Sequence, residues 1–413
     1  MTTDLRARIA LVVARDRARH ARDRTADSDG IDRNPLYVAH PVAAATGSPA
    51  PRGPSVDASS SAALAPALDL AATPTPDASF ARSGARLEVR EKRIAVDDLG
   101  LEIVGRGACD PLLLAHLGLK GEAPRDWSDI LFLDTETTGL SGGTGTYVFL
   151  IGLAYLRDGE LVLRQHLLRD IGAEREFVEH LKRELEPFRA CASYNGKTFD
   201  LPLLRTRFVM AMRSELTVDE SHLDLLHPAR RLWKNRFGST TLRQLEESVL
   251  DDGRITDIPG SLIPDAYFHY LRKGDEKIIA PVLEHNARDV ISLVRIADHV
   301  ARAVLAARSG QAPSHAPAAF ALARGFERTG ELEAAFWCYE SAYYDGDNEL
   351  RVRLSLLYAR ALERRGEVVR VVRMLETLLA LGLGSPRWRE QAEARIRRLV
   401  RRKKWQAATA TTS

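Results

Sequence analysis

The stretch Ile130–Gly139, ILFLDTETTG, ends an apolar run on two carboxylates two positions apart, Asp134 and Glu136. Alternation along an extended chain aims both at the same face of a sheet. Two acids side by side at the end of a buried strand repel each other and lose hydration, which is costly without a cation. A hard divalent metal relieves that cost, because carboxylate oxygens are its preferred ligands. In isolation the D-x-E pattern equally fits one acid capping a turn beside a second that is solvated.

Two further segments accompany it. Ser193–Leu204, SYNGKTFDLPLL, follows a short apolar run (Ala190–Tyr194) and carries Asp200 into a helix-like stretch. Glu284–Leu293, EHNARDVISL, places His285 and Asp289 four apart, on one face of a helix. Asp134, Glu136, Asp200 and Asp289 thus form four carboxylates on separate elements. That is the composition needed to hold two Mg²⁺ or Mn²⁺ ions roughly 4 Å apart for phosphodiester hydrolysis.

Taken in order, DTETTG (134–139), YNGKTFDLPLL (194–204) and HNARD (285–289) resemble the three exonuclease motifs of the DEDD group within the ribonuclease-H-like superfamily. The best fit is its YprB-like branch, which HLDLLHPARRLW (222–233) and GSLIPDAYFHYLRKGD (260–275) also resemble. The resemblance covers about residues 128–305, and three ordered motifs are far more specific than any one. It implies 3′ to 5′ exonucleolytic hydrolysis by two metals. Asp134 would bridge both ions, Glu136 and Asp289 would complete one site, and Asp200 would reach the other through water. The group's third motif carries Tyr four residues before the last Asp or His five before it, whereas this chain has a His at the Tyr spacing. His285 is then either the general base, since imidazole titrates near neutrality, or a hydrogen-bond partner of a carboxylate behind the metal ligands.

Neighbouring residues suit a single-stranded or frayed nucleic acid. Tyr194 and Asn195 stand where the second motif shapes the site, and Lys197 is placed to meet a phosphate; Tyr194 also reads as an ordinary core aromatic. In HPARRLWKNR (227–236), Arg230, Arg231, Lys234 and Arg236 surround Trp233. Bases can stack on a Trp while cations follow the backbone. The alternative is a solvated basic face with Trp233 turned inward. GGTG (142–145) lacks the Gly-Lys-Ser/Thr of a phosphate loop and reads as a tight connection.

The order of elements predicts an α/β fold, a ribonuclease-H-like mixed sheet flanked by helices, at 129–308. Strand patterns at 130–135, 146–156 and 160–168 form a meander, with Arg157-Asp158-Gly159-Glu160 as a hairpin turn. Helical spacing at 173–186, a strand at 190–194 and a helix at 200–212 follow. Pro281 is expected to mark the start of the helix bearing His285 and Asp289. Residues 86–128 are expected to form a small hairpin-and-helix cap.

Residues 1–40 hold a basic segment in which Leu5, Ile9, Leu11, Val12 and Val13 lie among seven arginines between Asp4 and Arg24. It reads as a basic amphipathic helix touching nucleic acid or a membrane surface, or as an Arg-rich terminus; Arg6 and Arg8 interrupt any signal-peptide core. Residues 41–85, rich in Ala, Pro and Ser, are expected to be a disordered linker. At 316–405 the spacing of Leu322, Ala323, Phe326, Gly330, Leu332, Ala335, Tyr339 and Ala342 recurs at Tyr358, Ala359, Leu362, Gly366, Val368, Val371, Leu375 and Leu378. This is a tetratricopeptide-like, all-α region whose capping helix ends in Arg397, Arg398, Arg401, Arg402, Lys403 and Lys404. It serves as a protein-binding surface, an extension of the nucleic-acid path, or a buttress.

The 413 residues suffice for two domains, and the net charge of +3 makes basic character local. Three scattered cysteines give neither a metal-ligand spacing nor a disulfide framework, which fits a reducing cytoplasm. No run is apolar enough for a membrane span. Against the nuclease stands a second reading, a catalytically weak or inactive scaffold that keeps the fold and binds nucleic acid or protein.

Overall fold

The computed structural model describes residues 86–139, 145–218, 220–254 and 257–410, with side chains as far as 402. The basic segment 1–40, the linker 41–85, most of the GGTG connection and the side chains of Lys403 and Lys404 lie outside the described residues. The chain divides into two compact units, 86–230 with 239–302, and 231–238 with 303–410.

The first unit is built on one sheet of seven strands: β1 (Leu87–Ala95), β2 (Leu119–Lys120), β3 (Ile130–Thr137), β4 (Val148–Arg157), β5 (Glu160–Leu168), β6 (Ala190–Ser193) and β7 (His222–Asp224), in the order β1-β5-β4-β3-β6-β7-β2. The meander β3-β4-β5 is antiparallel, and its hairpin turns at Asp158 and Gly159, both at positive φ (54° and 81°). Two successive left-handed residues match the twist of the flanking strands. β6 joins β3 in parallel and β7 joins β6 in parallel, so β3 lies in the middle of a mixed sheet, as expected for the ribonuclease-H-like class.

Residues 86–128 do not form a separate cap. β1 pairs with β5 along nine residues and β2 pairs with β7, so this segment supplies both outer strands of the sheet. The physical reason is an open edge: β5 carries apolar residues on both faces, Leu161 to Leu163 and His166 to Leu168 are buried, and its outer hydrogen bonds need a partner.

Helices α1 (Pro111–His116), α2 (Glu174–Leu185), α3 (Asp200–Met212), α4 (Leu226–Phe237), α5 (Leu242–Ser248), α6 (Ile263–Lys273) and α7 (Glu276–Arg308) follow the strands. α2 buries Phe177, Val178, Leu181 and Leu185 at helical spacing, with acids in its first turn and Lys182 and Arg183 in its last, matching the helix dipole. These residues join Leu131 and Leu133 of β3, Leu201, Leu204 and Phe208 of α3, and Tyr267 of α6 in one core. Arg207 is buried and forks onto Glu174, locking α3 to α2. Tyr267 stacks on Phe149 at 3.8 Å and donates its hydroxyl to the Leu168 carbonyl at 2.8 Å.

α7 begins at Glu276, five residues before Pro281, which therefore lies inside the helix and does not start it. Proline there forgoes one intrahelical bond, that to the Lys277 carbonyl, while the turn before it is held by other contacts. Asp275 takes the Lys277 amide on its side chain, and Ile278 and Ile279 are buried, which anchors that turn.

The second unit contains α8 (Ala316–Thr329), α9 (Leu332–Asp345), α10 (Asn348–Arg364), α11 (Val368–Ala380) and α12 (Pro386–Ala410). Gly330 and Gly366, both left-handed, close the first helix of successive pairs. Of the large and small residues whose spacing repeats, all but Leu332 and Val368 are buried, the two glycines aside. Among the described residues no helix is long and apolar enough to cross a membrane.

Candidate metal and nucleic-acid site

Asp134 and Glu136 stand at the end of β3, opposite Gly152 and Leu150 of β4. The register shifts after Glu136, so the strand stops pairing regularly where its acids emerge. α7 crosses above Gly152 and brings Asn286, whose amide donates to Asp134 Oδ2 at 3.0 Å and to the Asp134 carbonyl at 3.2 Å. Gln165 of β5 fixes that amide by donating to Asn286 Oδ1 at 3.0 Å and to the Leu283 carbonyl at 2.8 Å. Asp200, first residue of α3, accepts from Thr135 Oγ1 at 2.6 Å. Thr135 lies between the two acids on β3, so this bond holds Asp200 beside that strand end.

The four expected carboxylates are near enough to feel one another's charge. Burial pushes Asp134 well above its ordinary range, and the charges of Asp289, Asp200 and Glu136 add to it, against the hydrogen bond from Asn286. Burial likewise raises Glu136 to about 8, opposed by His285 and reinforced by Asp289 and Asp200. Asp200 is raised by burial although Thr135 opposes it, and Asp289 is raised by burial although His285 and Arg254 oppose it. The site remains open to solvent, since Glu136 and Asp289 keep 12% and 15% of their side-chain surface.

His285 Nδ1 lies 2.7 Å from Asp257 Oδ1, and Nε2 faces Asp289 Oδ2 at 3.6 Å and Glu136 Oε1 at 3.9 Å. Burial works against its charge, yet the Asp257 bond and the charges of Asp289 and Glu136 raise its pKa to about 9. In the cation-free protein His285 therefore carries a proton at neutral pH, the state of a donor to carboxylates.

Arg254, Asp257, Glu246 and Asp224 carried no local signal in the sequence, and Asn286 was not singled out. Arg254 is 3% exposed and bonds Glu246 through Nε and Nη2, Asp257 through Nη1 at 2.8 Å, and Asp289 through Nη2. Asp224 is buried at the end of β7 and takes the Asn195 amide at 2.9 Å. Asn286 sits inside HNARD and had a visible signal; Arg254 and Asp257 lie on a loop with no periodicity to mark them.

The oxygen-rich donor set suits a hard divalent cation. Even so, among the described residues no group of three or more His, Cys, Asp or Glu is drawn together closely enough to hold a metal. The geometry gives two reasons: Asp200 is held by Thr135 and Asp289 by Arg254.

The remaining candidates separate. Lys197, Arg230 and Lys234 are exposed, while Arg231 is half-buried. Tyr194 is half-buried and donates its hydroxyl to the Thr240 carbonyl, and Asn195 adopts a left-handed φ of 65° at the turn after β6. Trp233 is 6% exposed and offers no ring for stacking, so the inward alternative holds and the stacking role is corrected. An apolar ring on a helix gains more from burial than from contact with water.

The raised carboxylates give a pH dependence for the cation-free protein. From about pH 4.5, the ordinary value of Glu136, to about pH 8, the folded state holds a proton that the unfolded chain has released. Stability is therefore expected to fall as pH rises through this window. His285, raised from 6.5 to about 9, acts in the same sense at its upper end, and Asp257, lowered from 3.8, acts below it. Thermal unfolding in EDTA from pH 5 to 9 checks this, and a midpoint that climbs with pH would contradict it.

Residues 131–301 match the model of the RNase_H superfamily. The chain is 34% identical over 238 residues to "Uncharacterized protein YprB" of Bacillus subtilis (strain 168), over 56% of this chain, and it spans 57% of that protein's length. Among solved structures it is similar to the family B DNA polymerase from the hyperthermophilic archaeon Pyrobaculum calidifontis, at 20% identity and a TM-score of 0.33, over 52% of this chain and 29% of the polymerase. The superfamily match lies over the mixed sheet and its flanking helices.

Proposed function

We propose that the chain is a divalent-cation-dependent nuclease that removes nucleotides from the 3′ end of single-stranded or frayed nucleic acid. One observation carries this reading: Asp134, Glu136, Asp200 and Asp289 crowd at one end of the sheet, each with its ionised form disfavoured. Like charges held together against their own repulsion at a solvent-accessible place are expected of a cation site. The RNase_H-superfamily match over 131–301 supports it.

Two Mg²⁺ or Mn²⁺ ions would be held by Asp134 in common, by Glu136 and Asp289 on one side, and by Asp200 on the other. When bound, such ions polarise the scissile phosphate and acidify the attacking water. Asn286 keeps Asp134 oriented. Asp257 fixes His285 so that Nε2 faces the acids. In its charged form His285 donates toward a phosphate oxygen; as a general base it must first lose its proton. Lys197, Arg230 and Lys234 are each exposed and available to the strand's phosphates. The helices of 303–410 are read as tetratricopeptide-like, with a protein partner or the nucleic-acid strand as their ligand. A cytoplasmic setting suits Cys109, Cys191 and Cys338, all free and buried.

The Arg254 contact with Asp289 favours a second reading, a scaffold that keeps the fold and binds nucleic acid without cutting it. Incubating 5′-labelled single-stranded DNA and RNA with the protein and Mn²⁺, beside Asp134→Ala, separates the two. A ladder shortening from the 3′ end with wild type alone is the expected result. Two equally inert proteins that still bind the strand would leave the scaffold.

A further inference from the structure

In the second unit, α8, α10 and α12 bring a set of arginines to one side. Arg353 of α10 lies over the ring of Phe320 of α8, 5.5 Å from its centroid. Arg360 stands seven residues further along α10, which returns it to the same stripe of the helix about 10 Å on. Two carboxylates are set among these cations, and each is shared by two guanidiniums. Glu327 of α8 meets Arg324 at 3.2 Å and Arg364 of α10 at 3.5 Å. Glu363 of α10 meets Arg395 at 2.5 Å and Arg398 at 2.9 Å, both on α12. Each of these groups therefore keeps a net positive charge while its arginines are held in place. Arg353 and Arg360 are exposed, and among the described residues neither forms an ion pair.

We propose that this face of α8, α10 and α12 binds single-stranded nucleic acid, with Arg353 and Arg360 as its direct contacts. The choice of polymer rests in part on the nuclease reading of the other unit, whereas the binding itself requires no hydrolysis. A guanidinium fork matches phosphate and carboxylate alike, so charge alone does not separate a nucleic acid from an acidic peptide. Stacking does. The Arg353 guanidinium is backed by Phe320 and exposed to solvent, and unpaired bases stack on guanidinium planes as they do on aromatic rings. A run of Asp or Glu has no flat group to place there. Arg364, Arg395 and Arg398 are already held by carboxylates, so they add attraction for a backbone at little further cost in side-chain ordering.

Fluorescence anisotropy of labelled oligouridylate and oligothymidylate with the full chain in EDTA tests this without turnover. The wild type is expected to bind both, more weakly as salt rises from ~50 to ~200 mM. Arg353→Gln with Arg360→Gln is expected to weaken binding about tenfold at the lower salt and to reduce the slope of log affinity against log salt by roughly 1–2. Arg353→Lys with Arg360→Lys is expected to keep the slope and lose part of the affinity, because the charges stay while the planes go. Arg272→Gln with Arg373→Gln removes equal charge from exposed positions on α6 and α11 and is expected to change affinity by no more than about twofold. Absence of binding by the wild type, an unaltered slope in the double Gln variant, or an equal loss in the α6 and α11 variant overturns the proposal. So does a Lys variant that binds like wild type together with an oligoglutamate that displaces the strand, which would assign the face to an acidic peptide. Asp134, Glu136, Asp200 and Asp289 have no cation or turnover to supply in this assay, so the nuclease reading stands or falls separately.

Discussion

Asp134→Asn is expected to lower phosphodiester hydrolysis by at least about a thousandfold and, in the absence of cations, to raise the unfolding midpoint. The first effect follows because Asp134 is the acid that both ions would share, and losing ~4 kcal/mol of transition-state stabilisation is about a thousandfold in rate. The second follows because Asp134 is buried against Asp289, Asp200 and Glu136, and a neutral amide relieves that repulsion. Its oxygen still accepts from Asn286, so the local frame is kept. Relief of ~1 kcal/mol corresponds to about 2–4 °C in a unit of this size. Such opposition between activity and stability is what separates a functional acid from a structural one. A variant with unchanged turnover, or one less stable than wild type in EDTA, removes Asp134 from the centre of the site.

Gly152→Ala should cost about 1–3 kcal/mol in urea unfolding and at least about a hundredfold in rate. A methyl group there would collide with Asn286 Oδ1 and stand 2.7 Å from Val290 Cγ2, both on α7. The helix must move off β4, and Asn286 then loses its bonds to Gln165 and Asp134 together. Gly260→Ala is the control, since nothing lies within 4 Å of the added atom and its φ is not positive. Equal stability of the two variants would mean that α7 adapts without disturbing the acids.

What was legible in the chain was whatever repeats locally. β5 and α3 fall on the expected bounds because alternation and the 3.6-residue period are written in consecutive side chains. The hairpin at Asp158–Gly159 was visible for the same reason, in two adjacent residues that tolerate positive φ. The four acids could be singled out as candidates because motif spacing carries them. The partners that govern those acids were hidden, since Arg254 and Asp257 act across space from a loop without periodicity. β1 was misjudged because its pairing with β5 depends on an edge some seventy positions away, and local pattern does not say which edge a strand will take. Pro281 misled because proline is disfavoured inside helices in general, yet the burial of Ile278 and Ile279 extends the helix behind it.

The placing of β3 between β4 and β6, with its acids answered only by α3 and α7, has a consequence for biosynthesis. The ribosome releases Asp134 and Glu136 long before Asp289 and Asn286 emerge, and a chain folds from its N-terminal side as it appears. The nascent meander can pair as it leaves the exit tunnel, yet it owns half a cluster with no helix to complete it. The cluster is therefore complete only once α7 has been translated.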